Sequence, residues 1–176
     1  MPLKINDIHY SKISEGIQKC INHSERLISG ADELQKQNES ANAMCLAIIA
    51  QEEIGKAIFL WNHLKKHKDI TNKEYKRFFE GKKAHIVKLN TFREYCKKLP
   101  QKNLLRICGD ALQKFKETGF YVNWENGHWY IFEESELATR VTLITLAFRL
   151  IGESINVLAY LQEEMKNYNY PALPNS

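Results

Sequence analysis

Two short charged segments carry the residue types that chemistry needs. Gln51-Glu52-Glu53-Ile54-Gly55-Lys56 lies inside an apolar run that reads as a helix. At about 100° per residue, Glu52 points away from the apolar stripe towards solvent. Glu53 and Lys56 lie about 60° apart, on a strip shared with Ile49 and Leu60. A charged pair framed by aliphatics marks a surface that meets another helix or a second subunit. The plainer reading is an i,i+3 surface ion pair of little energetic worth. The second segment, Lys82-Lys83-Ala84-His85-Ile86-Val87-Lys88, places His85 in a stripe with Phe78, Phe79, Ile86, Leu89, Phe92 and Cys96. Lys88 lies about 60° from it. An imidazole moves a proton near neutral pH, and neighbouring ammoniums hold a phosphate and stabilise its developing charge. Those are the requirements of RNA cleavage by 2′-hydroxyl attack, which needs no metal. The plainer reading of His85 is a hydrogen-bonded core histidine.

The charge around these residues is uneven. Net charge is only +4, yet residues 65–106 hold 14 Lys or Arg against 4 Asp or Glu. A local field of this sign suits a polyanion such as RNA, and Lys76, Arg77, Lys82 and Lys83 are its RNA-binding candidates beside the histidine. A solvated lysine-rich helix face gives the same composition. Other constellations are weaker. Glu52 and Glu53 have no ExxH companion, so a di-iron carboxylate bundle finds no support. Cys20, Cys45, Cys96 and Cys108 stand far apart without a CxxC pair, which argues against zinc and for free thiols in a reducing cytoplasm. Tyr121, Trp124, Trp129 and Tyr130 either stack on bases or close one end of the fold. Glu133-Glu134-Ser135-Glu136 reads as an acidic helix N-terminus, and Arg140 as a residue able to reach an anionic partner. No metal or cofactor is expected.

The elements that must position these groups are helical almost throughout. The chain has 176 residues, 44% apolar and 26% charged, with 8 Gly and 4 Pro, which fits one globular domain over residues 1–176. A first helix is expected from Asp7 to about Gln37, and a second from a cap at Asn38 to Ser40 to about Lys66. Thr71 and Glu74 form a capping box opening a third helix to about Leu99. Pro100 opens a fourth, ending near Thr118-Gly119. The aromatic and β-branched runs flanking Asn126-Gly127 predict a small hairpin. A last helix runs from near Ser135 to about Lys166, with Leu137, Val141, Ile144, Phe148, Ile151, Ile155 and Leu158 as its stripe, and residues 167–176 form a loose tail. The expected fold is all-α: a bundle of about five helices with a hairpin before the last. No run of about 18 apolar residues and no apolar leader occurs, so neither a membrane span nor a secretory signal is expected, and the location is cytoplasmic.

Three separated stretches share a family pattern. Ala47 to Ala57, ending in EEIGKA, resembles the hallmark helix of AbiV-family abortive infection proteins. Ala84-His85-Ile86-Val87-Lys88-Leu89 is similar to the HxxKL element that follows it, and Phe120-Tyr121-Val122-Asn123 with Trp129 to the family's tyrosine-bearing segment. The family belongs to the HEPN superfamily of helical bundles, so the resemblance implies a HEPN-like fold that frequently dimerises. Many members are metal-independent RNases in phage defence or toxin–antitoxin systems. Their signature is Arg, four to six residues, then His; here Arg77 precedes His85 with seven between. The resemblance places the site at Glu53, Lys56, His85 and Lys88.

The reading that unites these features is an RNase that arrests translation or growth on phage infection. His85 would transfer the proton, Lys88 or Lys56 would clamp the phosphate, and Glu53 would orient Lys56 or the imidazole. The alternative is a non-catalytic module that binds RNA, ribosomes or a phage protein through the basic third helix. A phage-encoded activator or cognate regulator is a further expected partner. The second helix is apolar on nearly every side, so a homodimer is expected to cover it.

Overall fold

The first long helix ends where the sequence supplies an asparagine that tolerates left-handed backbone. In the computed structural model α1 spans Ile13–Lys36, and Asn38 follows with φ 66°. This conformation closes many helices, and the Asn38 and Glu39 N–H groups donate back to the Gln35 and Leu34 carbonyls at 3.1 and 2.9 Å. Asn38 therefore ends α1 and does not cap α2, whose N-cap is Glu39. The start of α1 also differs from expectation. Ile8 is extended and bridged to Ile70, each N–H donating to the other's carbonyl at 3.0 Å. The structure describes residues 8–9, 12–81, 83–99, 109–120, 123–125, 128–130 and 137–168, with backbone alone between 117 and 141. The expected fourth-helix start at Pro100, Cys108, the Glu133–Glu136 segment and the tail from 169 onward lie outside them.

α2, Ser40–Leu64, is the central helix. It touches α1, α4, α5 and α6, and Ile48, Ile54, Ala57, Ile58 and Trp61 are fully buried within the single chain. The strip of Ile49, Glu53, Lys56 and Phe59 stays only partly buried, so the neighbouring helices cover most but not all of its girth. The expected third helix is two segments. The capping box forms as predicted, Thr71 Oγ1 accepting from the Glu74 N–H and Glu74 accepting from the Thr71 N–H. Yet α3 covers only Asn72–Tyr75 and passes into a π-helical turn, Lys76–Glu80. Gly81 is extended at ψ 151°, and α4 starts afresh as Ala84–Cys96. The π-turn packs on α2 through Phe59 stacked on Phe78, with ring centroids 4.0 Å apart.

α5 spans Gly109–Phe120, and its first N–H is capped by the Asn90 side chain of α4 at 3.1 Å. Strands β1 (Asn123–Glu125) and β2 (His128–Tyr130) pair antiparallel, Trp124 opposite Trp129. α6, Leu137–Lys166, lies along α2 and α1. Its stripe is rotated from the predicted one. Leu143, Ala147, Leu150, Ile151, Val157, Leu158 and Leu161 are buried, whereas Phe148 is 57% and Ile155 50% exposed. The predicted stripe follows a strict seven-residue spacing and keeps only Ile151 and Leu158 among the buried residues, whereas α6 turns Glu153 and Ser154 inward with its leucines. Thr142–Lys166 is also long and apolar enough to cross a membrane by length and composition, contrary to the absence of such a segment expected above. In the structure this segment is a wall of the core. The architecture is all-helical in its packing layers, as predicted, with α2 as the axis around which the others sit.

Candidate functional site

The glycine of EEIGKA explains how the site is built. A Cβ at Gly55 would stand 2.3 Å from the Lys88 carbonyl oxygen and 3.0 Å from its carbon. Only glycine allows α2 and α4 to approach this closely, and the approach brings the start of α4 against the preceding turn of α2. There His85 Nδ1 lies 2.6 Å from Glu52 Oε2. The other Glu52 oxygen, Oε1, accepts from Lys116 Nζ of α5 at 2.5 Å. Lys116 Nζ is also 3.5 Å from His85 Nδ1.

This overturns the expected position of Glu52. It is 4% exposed, because α4 and α5 cover the side of α2 that it faces. A carboxylate buried this deeply needs partners, and His85 and Lys116 supply them. His85 also differs from expectation. Its side chain is 50% exposed and not buried in an apolar stripe, because the break at Gly81 takes Phe78 and Phe79 off its helix. Since an ionised carboxylate only accepts, the proton of a neutral imidazole sits on Nδ1, and Nε2 is left as the acceptor.

The remaining predicted residues divide into two groups. Glu53 and Lys56 pair at 2.5 Å with side chains 15% and 22% exposed, so the pair is half-buried. Glu53 therefore holds Lys56, and the imidazole is oriented by Glu52. Lys88 is buried at 5% exposure, and among the described residues it has no hydrogen bond or ion pair. Burial, then the Lys56 and Lys116 charges, push its pKa below the usual lysine value, against the pull of Glu52 and Glu53. Lys88 is thus within electrostatic reach of both charged pairs. Cys20 of α1 borders the same cluster, its thiol pushed up to about 11 by burial and by Glu53, so it is a poor nucleophile. Lys76, Arg77 and Lys83 are exposed, and none contacts Glu52 or His85. Lys82, the Arg140 side chain and the side chains of Tyr121, Trp124, Trp129 and Tyr130 lie outside the described residues.

Sequence reasoning missed two members, Glu52 and Lys116. The first had a signal: on a helix apolar all round, any charge is buried and must find a partner. The second had none, since nothing local marks Lys116 among the exposed lysines. Among the described residues, no three His, Cys, Asp or Glu side chains gather as a metal site.

The EEIGKA and HxxKL elements therefore meet in space. The sequence profile described as AbiV, of HEPN type, matches residues 12–131 and covers both. The chain belongs to the AbiV family. Membership makes it an abortive-infection, defence protein of the HEPN superfamily. The AbiV match takes in α1 to β2, and α6 lies beyond it. No curated protein and no solved structure matches the chain.

Proposed function

We propose that this AbiV-family protein is a metal-independent RNase that arrests growth on phage infection. The observation that carries the reading is the Glu52–His85 contact beside a buried, unpaired Lys88. Glu52 holds Nδ1–H, and Nε2 of the half-exposed ring takes the proton of a 2′-hydroxyl. The 2′-oxygen attacks phosphorus, a 2′,3′-cyclic phosphate forms, and the 5′-oxygen leaves with a proton. Lys88 holds the phosphate. Its lowered pKa makes it the cation best able to hand that proton to the leaving oxygen, and Lys56, steadied by Glu53, adds positive charge. In the sequence, Lys76, Lys82 and Lys83 belong to the basic segment that would attract RNA. A second copy completes the assembly, seated on the exposed strip of Phe148 and Ile155 in α6. The alternative is a binding module without chemistry, using the same basic surface on RNA, ribosomes or a phage protein.

Incubating total cellular RNA with wild type and with His85→Ala, both in chelator, separates the two. Cleavage by wild type alone, with cyclic-phosphate ends, is the expected result. RNA binding without cleavage by either favours the module. Light scattering on wild type and Phe148→Glu tests the second copy: a wild-type mass near 20.6 kDa would remove it.

A further inference from the structure

A separate groove lies where the C-terminal half of α2, the π-turn and α4 meet, and it holds about 410 Å³. Its floor is Ile58 and Val87, and its walls carry Arg77, Asn62, Asn90 and Lys98. Among the described residues, Arg77 and Asn62 have no hydrogen bond or ion pair. The Asn90 oxygen is taken by the Gly109 N–H, which leaves its NH₂ to donate. The Lys98 ammonium rests 4.7 Å from the Tyr95 ring centroid and, among the described residues, meets no carboxylate. Among the described residues the one acid on the wall is Glu94, already held by Lys97 at 2.6 and 2.7 Å. Donors and positive charge therefore outnumber acceptors, over an apolar floor. The π-turn carries Arg77 to this wall, and such turns recur at functional sites. On α4, Val87, Thr91 and Glu94 follow one face at helical spacing, away from His85 and Lys88, and Lys98 stands in the turn just after the helix.

We propose that this groove is a nucleotide subsite, taking one phosphate–ribose–base unit of single-stranded RNA outside the cleavage site. The volume lies at the lower end of small-ligand pockets and suits a single unit. Arg77 and Lys98 take the phosphate, and the Asn62 and Asn90 amides meet sugar or base oxygens. The proposal rests on the RNA reading for the source of the ligand, and the test is chosen to separate the two.

Isotope-labelled full-length protein is titrated with adenosine 5′-monophosphate and, separately, with inorganic phosphate, following the amides of Asn62, Thr91 and Arg77. The same preparation is assayed for RNA cleavage. The expected result is saturable shifts with the nucleotide and weaker ones with phosphate. Arg77→Ala and Lys98→Ala should each weaken nucleotide binding about tenfold, and Lys73→Ala, outside the groove, should not. Equal binding of phosphate would mean a simple anion site and overturn the proposal. So would the absence of shifts, or wild-type nucleotide affinity in both variants. Nucleotide binding without RNA cleavage keeps the groove and sinks the RNase reading; cleavage without nucleotide binding does the reverse.

Discussion

Helix α4 carries a buried polar cluster against α2 near each of its own ends, and the two ends are built on different terms. At the far end Arg93 donates to Glu153 at 2.5 Å and to the Gln51 oxygen at 2.7 Å, and the Gln51 amide donates to the Leu150 carbonyl. A few turns on, Glu164 joins Lys65 to Tyr95. These clusters tie α2, α4 and α6 together. At the near end Glu52 bonds both His85 and Lys116, but His85 opens to solvent and Lys88 is buried without a carboxylate contact. A polar cluster that fixes a fold satisfies its members. One that awaits a ligand leaves a reachable group and an unspent charge.

Breaking each end should therefore damage different quantities. His85→Ala is expected to lower RNA cleavage about 10²–10⁴-fold, with a melting curve close to wild type because half of the ring is already in water. Glu153→Ala leaves Arg93 buried without its carboxylate, which costs about 3–5 kcal/mol. Cleavage per folded molecule should survive that change. Denaturant unfolding alongside cleavage rates checks both. A His85→Ala protein that unfolds easily, or a stable and inactive Glu153→Ala, would erase the distinction between the ends.

Two glycines sharpen the same contrast. Gly55→Ala drives a methyl into the Lys88 carbonyl, so α2 and α4 must part, at about 1–3 kcal/mol. The parting also separates Glu52 from His85, so cleavage should fall beyond the loss of folded protein. Gly152 in α6 meets nothing within 4 Å, and Gly152→Ala should stabilise by up to about 1 kcal/mol through helix propensity. Equal effects of the two substitutions in a melting series would show that the close approach at Gly55 is not what holds the site.

Much of this division was legible in the sequence, and the rest was hidden for physical reasons. The all-helical class and the capping box at Thr71 follow from periodicity and local hydrogen bonding. Glu53, Lys56, His85 and Lys88 stand out in the sequence by type, by spacing and by the family pattern they fall on. A helical wheel misplaces Glu52 because the side opposite the apolar stripe of α2 is covered by α4 and α5. The split at Gly81 was missed because Thr71–Leu99 keeps a helical pattern across it. The π-turn and the extended glycine are fixed by the stacking of Phe78 on Phe59, a contact between residues 19 apart. Lys116 arrives from α5, and no local pattern reports a tertiary partner.

Lys88 offers a smaller test of unspent charge. Burial lowers its pKa, so the folded protein binds its proton less readily than the unfolded chain does. Stability should rise as pH climbs through the lowered folded value towards 10.5. Lys88→Met removes the penalty, and the expected outcome is a higher Tm at neutral pH, a flatter alkaline profile and no RNA cleavage. A lower Tm would mean that Lys88 is a structural cation like Arg93.

The smallest expected effect comes from the opposite end and has the opposite sign. Burial alone would raise the Glu164 carboxyl, but hydrogen bonds from Lys65, Tyr95 and Trp61 outweigh it and hold the group down to about 2, from 4.5. The folded protein thus keeps this carboxylate charged where the unfolded chain would protonate it. The stabilisation is complete above the unfolded value and is lost as pH falls through about 2. The Lys65–Glu164 pair is partly open, with side chains 25% and 30% exposed, so its worth is about 0–1 kcal/mol after solvent screening. Glu164→Gln should leave Tm at pH 7 slightly lower and make the fall between pH 5 and pH 2.5 shallower than in wild type. Thermal melts across that range decide it. An unchanged acid slope would mean that Glu164 spends no binding energy on its charged form, and that this end is held by Arg93 and Glu153 alone.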